Sequence, residues 1–190
     1  MPVRNWRVPQ DFARYEMDIK VIPNFLSKTG LKDFEDILHQ PRWMLVKHIS
    51  TPLNKGSGIE RHLTREDSNA YLCLYPIHVI SKILNKEYYC ARMRARVTWP
   101  SDDEGTIPHI DDPNLDYNIT AVIYLYDSDG DLIIYDSIGP EPFNEDAKYK
   151  RITPKANTCV LMLKKYYHHA MRPVNSPLRY SININLREFV

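Results

Sequence analysis

Apolar positions follow two different periods along this chain. In the first part they recur at helical intervals. Leu31, Phe34, Ile37 and Leu38 mark one face of a helix, Ser27 stands where an N-cap belongs, and Pro41 ends the run. Ile77, Ile80, Ile83 and Leu84 predict a second amphipathic helix over about 76–86. The run from Ile19 to Ile22, stopped by Pro23, reads as a short strand, and residues 43–48 read as another. Residues 50–68 are polar, contain Gly56 and Gly58, and read as a surface loop.

From Tyr88 onward the period falls to two. Met93, Ala95, Val97 and Trp99 share one face of a strand, and Arg92, Arg94 and Arg96 share the other. Three arginines on one face predict either a solvated surface or a site for an anionic group. Ile119 to Tyr126 is a buried strand, and a turn rich in Asp and Gly (127–131) leads to its hairpin partner, Leu132 to Tyr135. Residues 137–150 read as a loop and Thr158 to Leu163 as a further apolar strand. The last strand, Leu178 to Leu186, places Arg179, Ser181, Asn183 and Asn185 opposite Tyr180, Ile182, Ile184 and Leu186. Helices followed by antiparallel strands predict a mainly β fold with supporting α-helices, a sandwich or jelly-roll barrel. One domain over 1–190 is expected, with helical support at about 1–87 and the β core at about 88–190.

Composition narrows the partners. A net charge of +1 offers no basis for nucleic-acid or membrane binding. Cys73, Cys90 and Cys159 are odd in number and lack CxxC spacing, which fits reduced thiols rather than a disulfide frame or a zinc site. The first residues lack the apolar core of a signal peptide, and no run has the length of a membrane span. These features predict a cytoplasmic protein.

Candidate chemistry centres on His109-Ile110-Asp111. On an extended segment residues i and i+2 point the same way, so an imidazole nitrogen and a carboxylate oxygen can reach one metal ion. The pair His168-His169, which follows an apolar strand, offers a third donor. Two histidines and one carboxylate on one face of an ion leave three positions open, the arrangement of non-haem Fe(II) oxygenases. His-x-Asp alone is a weak motif. Arg179 on the next strand adds to it, because a guanidinium fork matches a carboxylate, with Ser181 on the same face as a further donor.

With these residues in place the chain resembles the 2-oxoglutarate/Fe(II)-dependent dioxygenase superfamily, and within it the prolyl 4-hydroxylase-like branch. The likeness runs from about Arg92 to Leu186. It is carried by His109-Ile110-Asp111, the strand Thr120 to Leu125, Gly130-Asp131-Leu132, His169 to Val174, and Arg179-Tyr180-Ser181. Asn24 to Ser27 at the entry to the first helix is also typical of that branch. The family's distal histidine is followed by Pro-Val four residues on and by Arg or Lys about ten on. His169 meets both spacings and His168 misses each by one.

The resemblance therefore implies His109, Asp111 and His169 as metal ligands on a double-stranded β-helix core. It implies Arg179, Tyr124 and Ser181 for the co-substrate, Tyr124 by likeness to the oxygen-sensing prolyl hydroxylases, which share the run His109 to Asn114. His168, Arg94, Thr120 and Trp99 are candidates for contact with substrate or support of the ligands. The implied cofactors are Fe(II), 2-oxoglutarate and O2, with ascorbate as an accessory reductant. The implied reaction hydroxylates a C–H bond, with release of succinate and CO2, and the retained carboxylate of Asp111 favours hydroxylation over halogenation. A prolyl residue in a peptide or protein is the substrate that the branch implies. The alternatives are a free amino acid or another small anionic metabolite, and a metal-binding jelly roll without turnover. A zinc hydrolase on the same ligands lacks an evident general base. Two departures, the reduced Gly130-Asp131-Leu132 hairpin and the segment Trp99 to Pro108 before His109, bear on the substrate more than on the chemistry.

Overall fold

The computed structural model describes residues 13–14, 17–39, 44–46, 58–63, 70–100 and 105–189. Positions 43, 47–57, 64–68 and 101–104, which carry parts of the expected strand, loop and turn, lie outside them.

Two antiparallel sheets face each other. The larger has eight strands in the order β1-β2-β9-β6-β11-β5-β4-β3, and the smaller three in the order β10-β7-β8. Their ranges are β1 Ala13–Arg14, β2 Ile19–Ile22, β3 Met44–Val46, β4 Gly58–His62, β5 Tyr88–Thr98, β6 Ile119–Tyr124, β7 Leu132–Ile138, β8 Tyr149–Ile152, β9 Thr158–Met162, β10 Tyr166–Ala170 and β11 Arg179–Glu188. Helices α1 (Lys28–Leu38) and α2 (Ala70–Leu84) complete the fold, a jelly roll with helical support. No helix among the described residues is long and apolar enough to cross a membrane.

The two periods in the sequence map onto two packed layers. Phe34 and Ile37 of α1 and Ile77, Val79 and Ile80 of α2 pack on Met93, Ala95, Ala121, Ile123, Cys159, Leu161, Ile182 and Ile184 of the large sheet. The opposite face of that sheet meets the small one. There Val122, Tyr124, Val160 and Met162 pack on Leu132, Ile134, Ile152 and Tyr166. Strands of the large sheet are thus covered on both sides, and every residue of β6 and of β9 is buried. Ser27 caps α1 as expected, its Oγ accepting from Gly30 N at 3.1 Å. Phe34 is 1% exposed and sits at the centre of the helix-side core. Phe34→Ala is expected to destabilise the fold by about 3–5 kcal/mol, measured by denaturant unfolding with and without the substitution.

The observed elements differ from expectation at three places. Helix α2 begins at Ala70, well before 76, with Pro76 inside it. The span read as a polar loop contains β4, which pairs with β5 through Ile59↔Val97 and Glu60↔Arg96. Its charged residues hid it, because Glu60 and Arg61 are buried and partnered rather than solvated. Likewise β7 runs on to Ile138, and β8 begins at Tyr149, within the last two positions of the expected 137–150 loop.

Candidate metal centre

The arginine face of β5 points inward, between the sheets, on the side where Tyr124 lies. Its cross-strand register builds polar rows across the large sheet. Arg92 pairs with Asn185, which pairs with Thr120; Arg94 pairs with Asn183; Arg96 pairs with Ser181, which pairs with Tyr124; Thr98 pairs with Arg179. The reading of these arginines as a solvated surface is therefore corrected: Arg96 is 6% exposed.

His109 and Asp111 lie between β5 and β6, over the first of these rows. A two-residue bridge holds His109 against β10: His109 N donates to His168 O at 3.0 Å, and His168 N donates to His109 O at 2.9 Å. Residues paired this way put their side chains on the same face. The rings of His109 and His168 lie 4.8 Å apart, centroid to centroid. One donor atom each from His109, Asp111 and His168 lies within 4.8 Å of the others.

The expected third member was His169, and the structure brings His168 instead. Side chains alternate along β10, so Tyr166 and His168 are buried inward while Tyr167 and His169 face away. His169 Nδ1 lies 3.1 Å from the Tyr135 hydroxyl, on the outer face of the small sheet, with Tyr149 and Phe143 around that tyrosine. The spacing that favours His169 counts residues through the loop after β10, whereas convergence with His109 follows the face of β10 itself. That loop takes its own course: the Asp129 carboxylate accepts from the backbone N–H groups of Val174, Asn175 and Ser176 at 3.0, 2.6 and 3.2 Å.

The donor set fits a divalent metal. His109 Nδ1 lies 2.8 Å from Ile107 O, and His168 Nδ1 lies 2.9 Å from Tyr166 O. A carbonyl can only accept, so each Nδ1 carries the proton and each Nε2 presents a lone pair. Burial, followed by the neighbouring His168, holds the His109 imidazole down at about 3, against a slight pull upward from Asp111. It is therefore neutral, as a ligand must be. Burial alone would raise the Asp111 carboxyl. His168, His109, the hydrogen bond from Asn185 and Arg94 outweigh it, and hold the group well below the usual carboxylate range.

Four side chains surround that carboxylate. Oδ2 accepts from Asn185 Nδ2 at 2.8 Å and from Thr120 Oγ1 at 3.2 Å, and Asn185 Nδ2 also donates to Thr120 Oγ1 at 3.1 Å. Oδ1 faces Arg92 Nη2 at 3.4 Å and Arg94 Nη2 at 3.5 Å. The Tyr117 hydroxyl donates to the Asp111 carbonyl at 3.0 Å, which fixes the backbone. Sequence reasoning named Thr120 and Arg94, and missed Asn185 and Tyr117. The signal for Asn185 was its place on the polar face of the last strand, beside Arg179 and Ser181.

Farther along the same interior, Arg179 Nη2 donates to the Tyr124 hydroxyl at 3.2 Å, and both side chains are buried. Burial pushes the Tyr124 phenol up, against the opposing pull of Arg179. Ser181 is buried between Tyr124 and Arg96 in its row. A narrow cavity lined by Arg96, Thr98, Thr106, Arg172 and Arg179 opens here. Arg179 Nε and Thr98 Oγ1 are buried without a hydrogen-bond partner, which suits a carboxylate end. Gly130 leaves room for the arginine, since a Cβ there would come within 3.0 Å of Arg179 Cδ and 2.9 Å of Met171 O. Trp99, expected near the substrate, lies elsewhere. It lines a larger apolar groove with Leu38, Val97, Tyr126 and Tyr180. Its place on the helix-side parity of Met93, Ala95 and Val97 puts that groove across the sheet from Asp111.

The comparisons bear on this geometry. The family model of the 2OG-Fe(II) oxygenase superfamily matches residues 95–187. That match spans just under half of the chain and makes the jelly-roll segment similar to this superfamily. Solved structures share the fold of this chain. An oxidoreductase of the 2OG-Fe(II) oxygenase family from Burkholderia pseudomallei is 14% identical, with a TM-score of 0.67 over 89% of this chain and 85% of that one. A prolyl hydroxylase from Trichoplax adhaerens, in complex with a hypoxia inducible factor oxygen degradation domain peptide fragment, is 16% identical, with a TM-score of 0.62 over 90% and 83%. HygX from Streptomyces hygroscopicus, bound to nickel, 2-oxoglutarate and hygromycin B, is 11% identical, with a TM-score of 0.62 over 89% and 82%. No curated protein matches the chain in sequence. The matched segment contains His109, Asp111, Tyr124, His168 and Arg179, so the family likeness covers the residues that converge.

Proposed function

We propose that this protein is a 2-oxoglutarate- and Fe(II)-dependent hydroxylase, with His109, Asp111 and His168 as its metal ligands. One observation carries the reading: the two imidazoles and the carboxylate converge in the same barrel interior as the buried Arg179–Tyr124 pair. A barrel that merely bound metal would have no use for a carboxylate anchor at that depth. When bound, ferrous ion would activate O2 as the oxidant and 2-oxoglutarate would supply two electrons, so that one oxygen atom converts the substrate C–H bond to C–OH and the other leaves in succinate, with release of CO2.

The chain's own residues have distinct parts. The carbonyls of Ile107 and Tyr166 orient the two imidazoles. Asn185 and Thr120 hold one Asp111 oxygen and so limit how the carboxylate can turn. Arg179, with Tyr124 and Ser181, receives the far carboxylate of the co-substrate. Apolar side chains of Val122, Val160, Leu132 and Ile134 close the interior against bulk water.

For the substrate, the run His109 to Asn114 and the fold shared with a peptide-bound prolyl hydroxylase support a prolyl residue in a peptide or protein. The inward arginines support a second reading, a small anionic metabolite.

Purified protein is expected to release succinate from 2-oxoglutarate with Fe(II) and O2, and to lose the activity on chelation. An assay pairing succinate detection with mass spectrometry for a gain of one oxygen in candidate prolyl peptides and amino acids tests both parts. Absence of Fe(II)-dependent succinate release from metal-loaded protein would overturn the hydroxylase reading.

A further inference from the structure

We infer that the substrate presents an oxyanion, a carboxylate or a phosphate ester, to Arg92 and Arg94 beside Asp111. The inference rests on the hydroxylase reading and adds to it what the substrate must carry.

Position comes first. Arg94 stands four residues along β5 from Thr98, the partner of Arg179. At a strand rise of about 3.3 Å per residue, the Arg94 row lies about 13 Å from the anchor row. The two arginine groups therefore serve opposite ends of the interior, with Asp111 at the Arg92–Arg94 end. A keto acid held at Arg179 by its far carboxylate leaves the Arg92–Arg94 end for another guest.

Donor capacity comes second. The contacts of Arg92 and Arg94 with Asp111, at 3.4 and 3.5 Å, are longer than the 2.7–2.9 Å typical of charge-assisted hydrogen bonds. Arg92 Nη2 and Arg94 Nε are both buried atoms without a hydrogen-bond partner, and so is the side-chain oxygen Oδ1 of Asn183, the cross-strand partner of Arg94. Arg92 Nη1 has only a 3.6 Å contact with Asp112 Oδ2, and two further donors are committed. Arg92 Nε donates to Asn185 Oδ1 at 3.0 Å, and Arg94 Nη1 lies 3.2 Å from Glu60 Oε1. Both side chains keep some exposure, 17% and 13%, so neither is sealed from an incoming guest.

Charge comes third. Arg92, Arg94, Arg96 and Arg179 face inward against two buried carboxylates, Glu60 and Asp111, and the rim carboxylate Asp112. Glu60 is drawn mainly to Arg96, at 2.7 and 3.1 Å, and its carboxyl is held low against the upward push of burial by Arg96 and Arg94. A ferrous ion and a 2-oxoglutarate dianion cancel each other, so loading the site leaves the positive surplus in place. An anionic substrate group neutralises it where water is largely excluded, and a neutral substrate leaves guanidinium donors unmatched.

The test uses full-length protein loaded with Co(II) under anaerobic conditions. A change in its visible spectrum on adding 2-oxoglutarate is the control for the hydroxylase reading; its absence counts against that reading and not against the arginine site as such. With 2-oxoglutarate saturating, inorganic phosphate and acetate are titrated as probes. Saturable binding with 2-oxoglutarate retained is expected, weakened roughly tenfold or more in Arg92→Gln and Arg94→Gln. Phosphate alone assigns a phosphate ester, and acetate alone a carboxylate. Arg94→Lys, which keeps the charge and loses the fork, carries the same test if Arg94→Gln does not fold. The inference is overturned if neither anion binds, if binding is unchanged in the variants, or if the anion displaces 2-oxoglutarate.

Discussion

Alanine at His168 is expected to abolish metal binding, while alanine at His169 leaves it nearly intact. The two histidines are neighbours in sequence but lie on opposite faces of β10. His168 is 4% exposed, bridges to His109 through both backbone hydrogen bonds, and has its Nδ1 tied to a carbonyl so that Nε2 points at the cluster. Removing a partner that only orients a ligand costs about 10–100-fold in metal affinity, so removing the ligand itself should cost at least about 100-fold. His169→Ala loses a contact with Tyr135 on the outer face, where substitutions usually change stability by about 0.5 kcal/mol or less. Calorimetric titration of each variant with Mn(II) or Co(II) decides the matter. Loss of binding in His169→Ala with retention in His168→Ala would show that the ligand assignment is inverted.

The second large effect is expected at Arg179. Its guanidinium is buried beside Tyr124, whose hydroxyl accepts from Nη2 at 3.2 Å. A hydrogen bond to a charged group is worth about 1.5–3 kcal/mol, so Arg179→Ala should raise the 2-oxoglutarate requirement by roughly 10–150-fold. Metal affinity should stay near that of the parent, because Arg179 makes no contact with His109, Asp111 or His168. Succinate release as a function of 2-oxoglutarate, beside metal titration of the same sample, separates the two. Equal loss of both would mean that Arg179 supports the barrel rather than the co-substrate.

Much of this was legible along the chain. Alternation in β5 and β11 separated the apolar face that packs on the helices from the polar face that forms the site. It grouped Arg94 with Arg92 and Arg96 on one face and Arg179 with Ser181 on another, while Thr120 and Tyr124 were named from the family resemblance. Other features were hidden for identifiable reasons. Strand β4 was illegible because its charges are neutralised across the sheet: Glu60 reads as solvent-facing until Arg96 and Arg94 are seen opposite it. Trp99 looked like a site residue because it precedes His109 closely, yet its parity sends it to the helix side.

The identity of the third histidine marks the boundary between the two kinds of information. Residue types and their period determined by themselves that the chain would form a two-faced β core, and that His109 and Asp111 would point the same way. They are local consequences of strand geometry, in which every second side chain shares a face. Which of His168 and His169 meets that pair depended on the backbone bridge between His109 and His168, a contact across 59 positions of chain. The inward sense of the arginines likewise depended on which face of the large sheet the small sheet covers. A strand's period says which residues lie together; only the packing of one layer on another says which of its two sides is the inside.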